Sequence, residues 1–450
     1  MEKIKYIYFI GIGGIGMSAI ARYFNAQDYV VSGYDKTETK LTQALAAEGI
    51  AIHYEDNTDC IPKSIEETLV VYTPAIPADL NELVYVKSMG YDVVKRSKIL
   101  GRLTSGHNCF AVAGTHGKTS TSTLLAHIFH HGGEEVSAFL GGISKNLESN
   151  LLISGTENIV VEADEYDRSF LQLHPQMAVI TSMDPDHLDI YSQAEAFRDA
   201  FNEFGSQVEN RLIVKYGLPI DKDRIKADIL TYAYDDSRAD FYSTNVNRDD
   251  LGRYHFDLVH PQGVIKDCHC GVPGWVNVEN SVAASAIALS YGIDQEKIKE
   301  ALASFNGVQR RFDIRVNTPT CTYIDDYAHH PKELKAAIST IRGIFPGRKF
   351  TGIFQPHLFS RTRDFADGFA ESLSLLDKVI LLDIYPAREK PIEGISSLTI
   401  LDKIEGIEKI LLKKEELIDY LMTEKLDILA TFGAGDIDRF VEPITKLLKK

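Results

Sequence analysis

Lys118 and Thr119 stand directly after Gly114-Thr115-His116-Gly117, and that turn follows the apolar run Cys109 to Ala113. Leu124, Leu125 and Ile128 continue at helical spacing. A strand, a glycine-bracketed turn and a helix start make a phosphate cradle. Backbone N–H groups approach the anion, the lysine reaches β/γ-phosphates, and the threonine hydroxyl reaches Mg²⁺. Ser120 completes the first helical turn. The strict loop pattern asks for glycine at position 112, where Val112 stands, so this is a shortened form, Gly-Thr-x-Gly-Lys-Thr. The competing reading is a glycine turn with no ligand. Ile159-Val160-Val161 reads as a strand ending in Glu162. An acid there, in the same domain as the loop, is placed to hold Mg²⁺ directly or through water. Asp164, Glu165 and Asp167, just beyond it, read as a solvated loop. His187 follows the strand Met177 to Thr181, among Asp184, Asp186 and Asp189. That group reads either as a second divalent site or as an ordinary polar loop.

A second glycine-rich turn lies near the N-terminus. Ile4 to Ile10 reads as a buried parallel strand, then come Gly11-Ile12-Gly13-Gly14-Ile15-Gly16 and a helical pattern to Phe24. Gly11, Gly13 and Gly16 match the dinucleotide fingerprint, in which a diphosphate sits on a helix N-terminus. The strand Tyr29 to Gly33 leads to Asp35, an acid at the distance that bonds a ribose hydroxyl. This pattern suits NAD or a UDP-sugar. Thr73 begins a loop at the carboxyl edge after the strand Leu69 to Tyr72. Arg96 follows a short strand, Asp92 to Lys95, and either pairs with a substrate phosphate or is solvated.

These residues need three sheets to carry them. With 450 residues, the chain has room for about three domains. We expect a Rossmann-like N-terminal domain over 1–105, a central P-loop ATPase-like domain with a mixed sheet over 106–312, and a Rossmann-like doubly wound domain over 313–450. Residues 209–270 alternate with many polar turns and read as an antiparallel excursion. Asn277 and Asn280 lie one turn apart at the start of a helix, where a side-chain amide reads an adenine edge or caps the helix. Arg310 and Arg311 mark the junction to the third segment. There, strands end in polar loops holding Asp326, His329, His357 and Arg361, so one sheet edge is a ligand face.

Composition excludes several classes. A net charge of −16 opposes non-specific nucleic-acid binding. The five cysteines are scattered, so they read as reduced thiols in the cytoplasm rather than a disulfide framework. Cys268-His269-Cys270 has the wrong sulfur spacing for a thiolate zinc site. No apolar run of about 18 residues suggests a membrane span.

Taken together, Gly11 to Gly16, Gly114 to Thr119, Glu162 to Phe170, Asp186 to Asp189, Asn277 and Asn280, Arg310 to Phe312, Asp325 to Pro331 and Gln355 to Arg361 resemble the Mur ligase family. The resemblance spans nearly the whole chain. It implies a UDP-binding, an ATP-binding and a C-terminal domain, the last closing over ADP and the amino acid. It further implies an ATP- and Mg²⁺-dependent amide ligase that joins L-alanine to the muramoyl carboxylate of UDP-N-acetylmuramate through an acyl phosphate. Partners would be those two substrates, with no nucleic acid and no membrane, and a monomer or weak homodimer. By the same resemblance, Gly11, Gly13, Gly14, Gly16, Asp35, Thr73 and Arg96 bind the UDP-sugar. Gly114 to Ser120, Asn277, Asn280, Arg311 and Asp326 bind ATP. Thr119, Glu162 and His187 serve metal, and His329, His357 and Arg361 line the alanine site. Lys118, His329 and Arg361 are the expected catalytic set, with His329 as base. Val276, Leu358 and Phe201 depart from the family pattern. Phe201 stands where later-acting ligases carry a carboxylated lysine, so no carbamate is expected. Three other readings are a recycling ligase that attaches a preformed tripeptide, an NAD-dependent oxidoreductase, and a nucleotide-binding switch. The oxidoreductase leaves the Lys118 loop unexplained, and the switch needs no third segment.

Overall fold

The computed structural model describes residues 3–184, 191, 194–249, 252–387 and 389–449. Three sheets carry the chain. The first contains β1 (Tyr6–Ile10), β2 (Val30–Tyr34), β3 (Ala51–His53), β4 (Thr68–Tyr72) and β5 (Asp92–Lys95), in the order β3-β2-β1-β4-β5. β1 pairs in parallel with β2 and β4, β2 with β3, and β4 with β5. Ile7 to Ile10 are fully buried, as a parallel strand covered on both faces requires.

The second sheet contains β6 (Asn108–Ala113), β7 (Val136–Ser144), β8 (Ser149–Ile153), β9 (Asn158–Ala163), β10 (Met177–Ile180), β11 (Arg211–Lys215), β12 (Asp228–Ala233), β13 (Phe241–Arg248), β14 (Tyr254–His260) and β15 (Gly263–His269). Their order is β15-β14-β13-β12-β11-β10-β6-β9-β7-β8. The expected antiparallel excursion over 209–270 is corrected here. Strands β11, β12 and β13 extend the sheet in parallel, and the antiparallel ladder joins β14 to β15. The alternation of Phe241, Ser243 and their neighbours reflects a strand covered on one face, a property independent of strand direction.

The third sheet contains β16 (Asp313–Asn317), β17 (Thr322–Asp326), β18 (Phe350–Phe354), β19 (Lys378–Leu382), β20 (Glu408–Leu412) and β21 (Ile428–Phe432), in the order β16-β17-β21-β18-β19-β20. It is parallel except at β16, an antiparallel edge strand.

Contacts divide the chain into two compact units. One holds the chain up to Val246 with His255–Gly271 and Val278–Asn306, and the other holds Asn247–Tyr254, Val272–Asn277 and everything from Gly307. The first two sheets share a unit because one core runs through both, joining Ile7 and Phe24 to Cys109, Phe139 and Phe170. Phe201 is fully buried in that core, edge-on to Phe170 and Phe197. No described helix is long and apolar enough to cross a membrane.

Candidate active site

Strand β6 ends at Ala113, and the helix Lys118–Gly132 begins after a turn whose glycines take φ of +135° at Gly114 and +82° at Gly117. Only glycine adopts these values without strain. A Cβ at Gly114 would collide with Thr181, and one at Gly117 would come within 3.0 Å of Asn280 Oδ1. The segment that follows strand β10 therefore braces the loop. The Thr181 hydroxyl donates to Ala113 O (3.1 Å) and His116 O (2.5 Å), and the His116 N–H donates to Ser182 Oγ (2.7 Å). Thr115 Oγ1 donates to Asp184 O, and His116 Nε2 lies 3.5 Å from Asp184 Oδ2. Thr119 is buried and Ser120 half-buried in the first helical turn.

Lys118 Nζ donates to Glu165 Oε2 (2.7 Å) and Gly114 O (2.5 Å). Burial opposes its charge, but Glu165, Asp164 and Glu162 together outweigh that, so its pKa is raised. Expecting Asp164, Glu165 and Asp167 to be a solvated loop was wrong. Glu165 is only 2% exposed, Asp164 Oδ2 accepts from Arg96 (3.1 Å), and Asp167 Oδ2 accepts from Lys95 (2.9 Å). A tight turn over Tyr166–Gln172, with Asp167 and Arg168 in left-handed backbone, folds the acids back onto these cations. The buried Tyr191 hydroxyl donates to Glu165 O and holds the turn.

Glu162 lies on β9, and a Cβ at Gly141 would overlap its carboxylate. The buried Thr119 hydroxyl and the Glu162 carboxylate are hard oxygen donors, the chemistry that suits Mg²⁺. His187, with Asp186 and Asp189, lies outside the described residues.

The N-terminal turn is built on the same plan. Gly11 takes φ +87°, and a Cβ there would meet Thr73 Cγ2 at 2.7 Å. Gly14 caps the helix Ile15–Ala26 in extended backbone, with no side chain bonding the first amides. A Cβ at Gly16 would collide with Arg96 Nη1, so any larger residue there would push that guanidinium aside. Asp35 Oδ2 accepts the Gly13 N–H at 2.8 Å, so the acid shapes the glycine turn.

Asn280 is buried and accepts from Thr121 Oγ1 at 3.2 Å, so it braces the helix that starts at Lys118. Asn277 donates to Pro273 O at 2.7 Å, a bond to a carbonyl ahead of its helix rather than a cap on the helix's first N–H groups.

In the second unit, Asp326 ends β17 and accepts from the N–H groups of Phe312 (2.7 Å) and Ala328 (2.8 Å). Burial pushes its pKa up to about 6, although Arg311 and these amides pull the other way. The Arg311 guanidinium lies 4.6 Å from the Tyr327 ring centroid. Its neighbour Arg310 pairs with buried Asp325 at 3.1 Å. His329 contacts Tyr327 O (3.1 Å) and Glu333 Oε2 (3.3 Å) through Nδ1. Its ring is 6.2 Å from His357, and His357 Nδ1 is 3.4 Å from Arg361 Nη1. Arg361 is 6% exposed. The structure thus brings together the three residues expected at an amino acid. Tyr385, stacked on His357 at 5.8 Å, was missed. The only sequence signal for it was its place in a loop after a buried strand. Leu358 holds φ +71° and donates its N–H to Tyr385 O, fastening the two loops.

Comparisons with known proteins agree along the whole chain. Residues 6–108 match a family described as "Mur ligase family, catalytic domain", 112–288 match "Mur ligase middle domain", and 310–435 match "Mur ligase, glutamate ligase domain". The chain is 50% identical to a UDP-N-acetylmuramate–L-alanine ligase of Porphyromonas gingivalis, with 99% of each covered. The crystal structure of a UDP-N-acetylmuramate-alanine ligase from Thermotoga maritima matches at 28% identity and TM-score 0.84, covering 99% of both chains. A murein peptide ligase from Psychrobacter arcticus shares the fold at 20% identity and TM-score 0.75, covering 99% of this chain and 98% of that one.

Proposed function

The chain belongs to the Mur ligase family, and we propose that it joins L-alanine to the muramoyl carboxylate of UDP-N-acetylmuramate with cleavage of ATP to ADP and phosphate. The reaction supplies a peptidoglycan precursor in the cytoplasm. The observation that carries this reading is half-identity to an alanine-adding ligase over essentially the full length of both chains. The shorter phosphate loop and its lysine fit the same chemistry.

A carboxylate oxygen attacks the γ-phosphorus and ADP leaves, giving an acyl phosphate. The alanine amine then attacks the acyl carbon, and the tetrahedral intermediate expels inorganic phosphate. No enzyme nucleophile is needed, so catalysis is positioning and charge stabilisation. The Gly114–Gly117 turn offers backbone N–H groups to the phosphates. Lys118 is kept charged by its acidic neighbours and exchanges Glu165 for the γ-phosphate. Thr119 and Glu162 would hold one Mg²⁺ and His187 would help hold a second, and such ions when bound neutralise phosphate charge. The Gly11–Gly16 turn and Arg96 hold the UDP diphosphate, with Asp35 and Thr73 beside it. Asn277, Asn280, Arg311 and Asp326 hold the nucleotide.

Arg361 receives the alanine carboxylate, because a guanidinium forms paired bonds to a carboxylate. His357 and Tyr385 fix that guanidinium's surroundings. His329 is the proposed acceptor of the proton that the alanine ammonium must lose before attack, and its Nδ1 contacts with Tyr327 O and Glu333, which orient the ring, support that role.

Phosphate release from ATP with UDP-N-acetylmuramate and a panel of acceptors tests the reading. We expect turnover with L-alanine, slower use of serine and glycine, and none with a tripeptide. A missing methyl is worth only about 1–3 kcal/mol, so glycine is not strongly rejected. Turnover with the tripeptide and none with alanine would replace this reading with the recycling one.

A further inference from the structure

The hairpin β14/β15 carries a group of side chains for which the ligase reaction has no use. Cys268-His269-Cys270 looked unsuitable for zinc because of its sulfur spacing, and the structure gives a second reason. Cys268 is fully buried, whereas Asp267 and His269 are exposed. Strand alternation sends them to the opposite face of the ribbon. The exposed face nevertheless assembles donors of its own. His255 sits directly across the ladder from His269, with ring centroids 4.1 Å apart.

Asp267 completes the group through an irregular backbone. The register shifts between Phe256 and Leu258, Asp267 takes φ +53°, and its N–H donates to Asp257 Oδ1 at 2.8 Å. This turns one carboxylate oxygen toward both rings. Asp267 Oδ1 lies 3.3 Å from His269 Nε2 and 3.8 Å from His255 Nδ1. One ligand atom from each residue lies within 4.8 Å of the others, and no other such trio of His, Cys, Asp or Glu occurs among the described residues. Lys299 Nζ is 4.0 Å from the second oxygen, Oδ2, and leaves Oδ1 to the imidazoles. Ligands about 2.0–2.1 Å from a tetrahedral Zn²⁺ stand about 3.3–3.4 Å apart. The 3.3 Å between Asp267 Oδ1 and His269 Nε2 matches that spacing, and the 3.8 Å to His255 Nδ1 asks the exposed His255 ring to move inward by about 0.4–0.5 Å.

We propose that His255, Asp267 and His269 bind one divalent transition metal ion of the Zn²⁺ class, with water in the fourth position. Two imidazoles and one carboxylate favour Zn²⁺ or Co²⁺ over Mg²⁺. This separates the site by donor chemistry from the oxygen donors around Thr119. Strand β15 is the edge of the ten-stranded sheet, and β14 is its partner in the ladder. The ion is a clip across the outermost ladder, where a strand has a neighbour on one side only.

The test uses the full chain, stripped of metal by chelator dialysis and titrated calorimetrically with ZnCl₂ and with MgCl₂. Co²⁺ serves as a spectroscopic probe. We expect one equivalent of Zn²⁺ per chain, no competition by Mg²⁺, and intense tetrahedral Co²⁺ absorption. His255→Ala and His269→Ala each weaken Zn²⁺ binding at least about tenfold, and the double variant loses the Co²⁺ bands. All three side chains lie on the surface, so circular dichroism and zinc-free ligase turnover stay as in the parent. Zn²⁺ also slows amide exchange in β15 of the parent and leaves the double variant unchanged. Zn²⁺ affinity and Co²⁺ spectra unaltered in the double variant, or no Zn²⁺ binding by the parent, overturn the proposal.

Discussion

The two glycine-rich turns of the first unit differ in where they obtain their cation. Each follows a buried parallel strand and opens a helix, and each uses glycine at positive φ, at Gly11 in one and at Gly114 and Gly117 in the other. The later turn carries its own lysine at the first helical position, within reach of the loop carbonyls and Glu165. The N-terminal turn borrows Arg96 from the end of a different strand, and Asp164 fixes that guanidinium. A flexible stem with a point charge suits a phosphoryl group that moves during reaction. A planar fork held by a carboxylate suits a diphosphate that stays in place. Arg96 bonds Asp164 and Lys118 bonds Glu165, so neighbouring acids just ahead of one tight turn organise both cations.

The sharpest break of this comparison is Lys118→Ala. Its contact strengthens in the transition state, so kcat falls about a hundredfold to a thousandfold or more, while circular dichroism is unchanged. Purified Lys118→Ala with near-parental kcat would remove the distinction between the two turns.

Arg361→Ala comes next, because the proposed function has Arg361 receive the alanine carboxylate without any glycine turn. A charge-assisted bond worth about 1.5–3 kcal/mol predicts an alanine KM raised roughly tenfold to a hundredfold. Arg361→Lys restores only part of this, since a point charge does not replace a fork. Steady-state kinetics at saturating ATP and UDP-sugar read both variants, and an unchanged alanine KM points instead to Arg363 or to Arg388, which lies outside the described residues.

Arg96→Ala sharpens the comparison from the other side. We expect a UDP-sugar KM raised about tenfold with kcat nearly kept, the mark of binding equal in ground and transition states. A kcat loss matching that of Lys118→Ala would show that both cations act on the reacting phosphate.

The smallest effect lies outside both turns. Native Asp326 keeps its proton up to about pH 6, whereas an ordinary aspartate loses it near 3.8. Between these values the native state binds more protons. The stability contributed by this group is therefore full below the lower value and declines as pH rises through the upper one. Its slope is at most about 1.4 kcal/mol per pH unit. Thermal melts of Asp326→Asn from pH 4 to pH 7 should show a flatter decline than the parent, and equal slopes would contradict the burial argument.

What the sequence revealed follows from how local each feature is. The strand–turn–helix at Gly114 to Thr119 was legible because strand, glycines and helix start are contiguous. The order of motifs likewise revealed three sheets. The roles of Asp164 and Glu165 were not legible, because a polar run beside a strand looks solvated until a turn folds it onto Lys118 and Arg96. Tyr385 escaped for a related reason, since its loop meets the His357 loop only through the third sheet. Strand direction was misread for β11 to β13, and rightly read for β14 and β15, because alternation reports a covered face and carries no direction.

The most direct test of the central claim follows oxygen. UDP-N-acetylmuramate carrying ¹⁸O in both carboxylate oxygens is turned over with ATP and L-alanine, and the released phosphate is analysed by mass spectrometry. An acyl phosphate predicts one ¹⁸O in each phosphate and one retained in the amide carbonyl. Phosphate without ¹⁸O, formed alongside the amide, would contradict it.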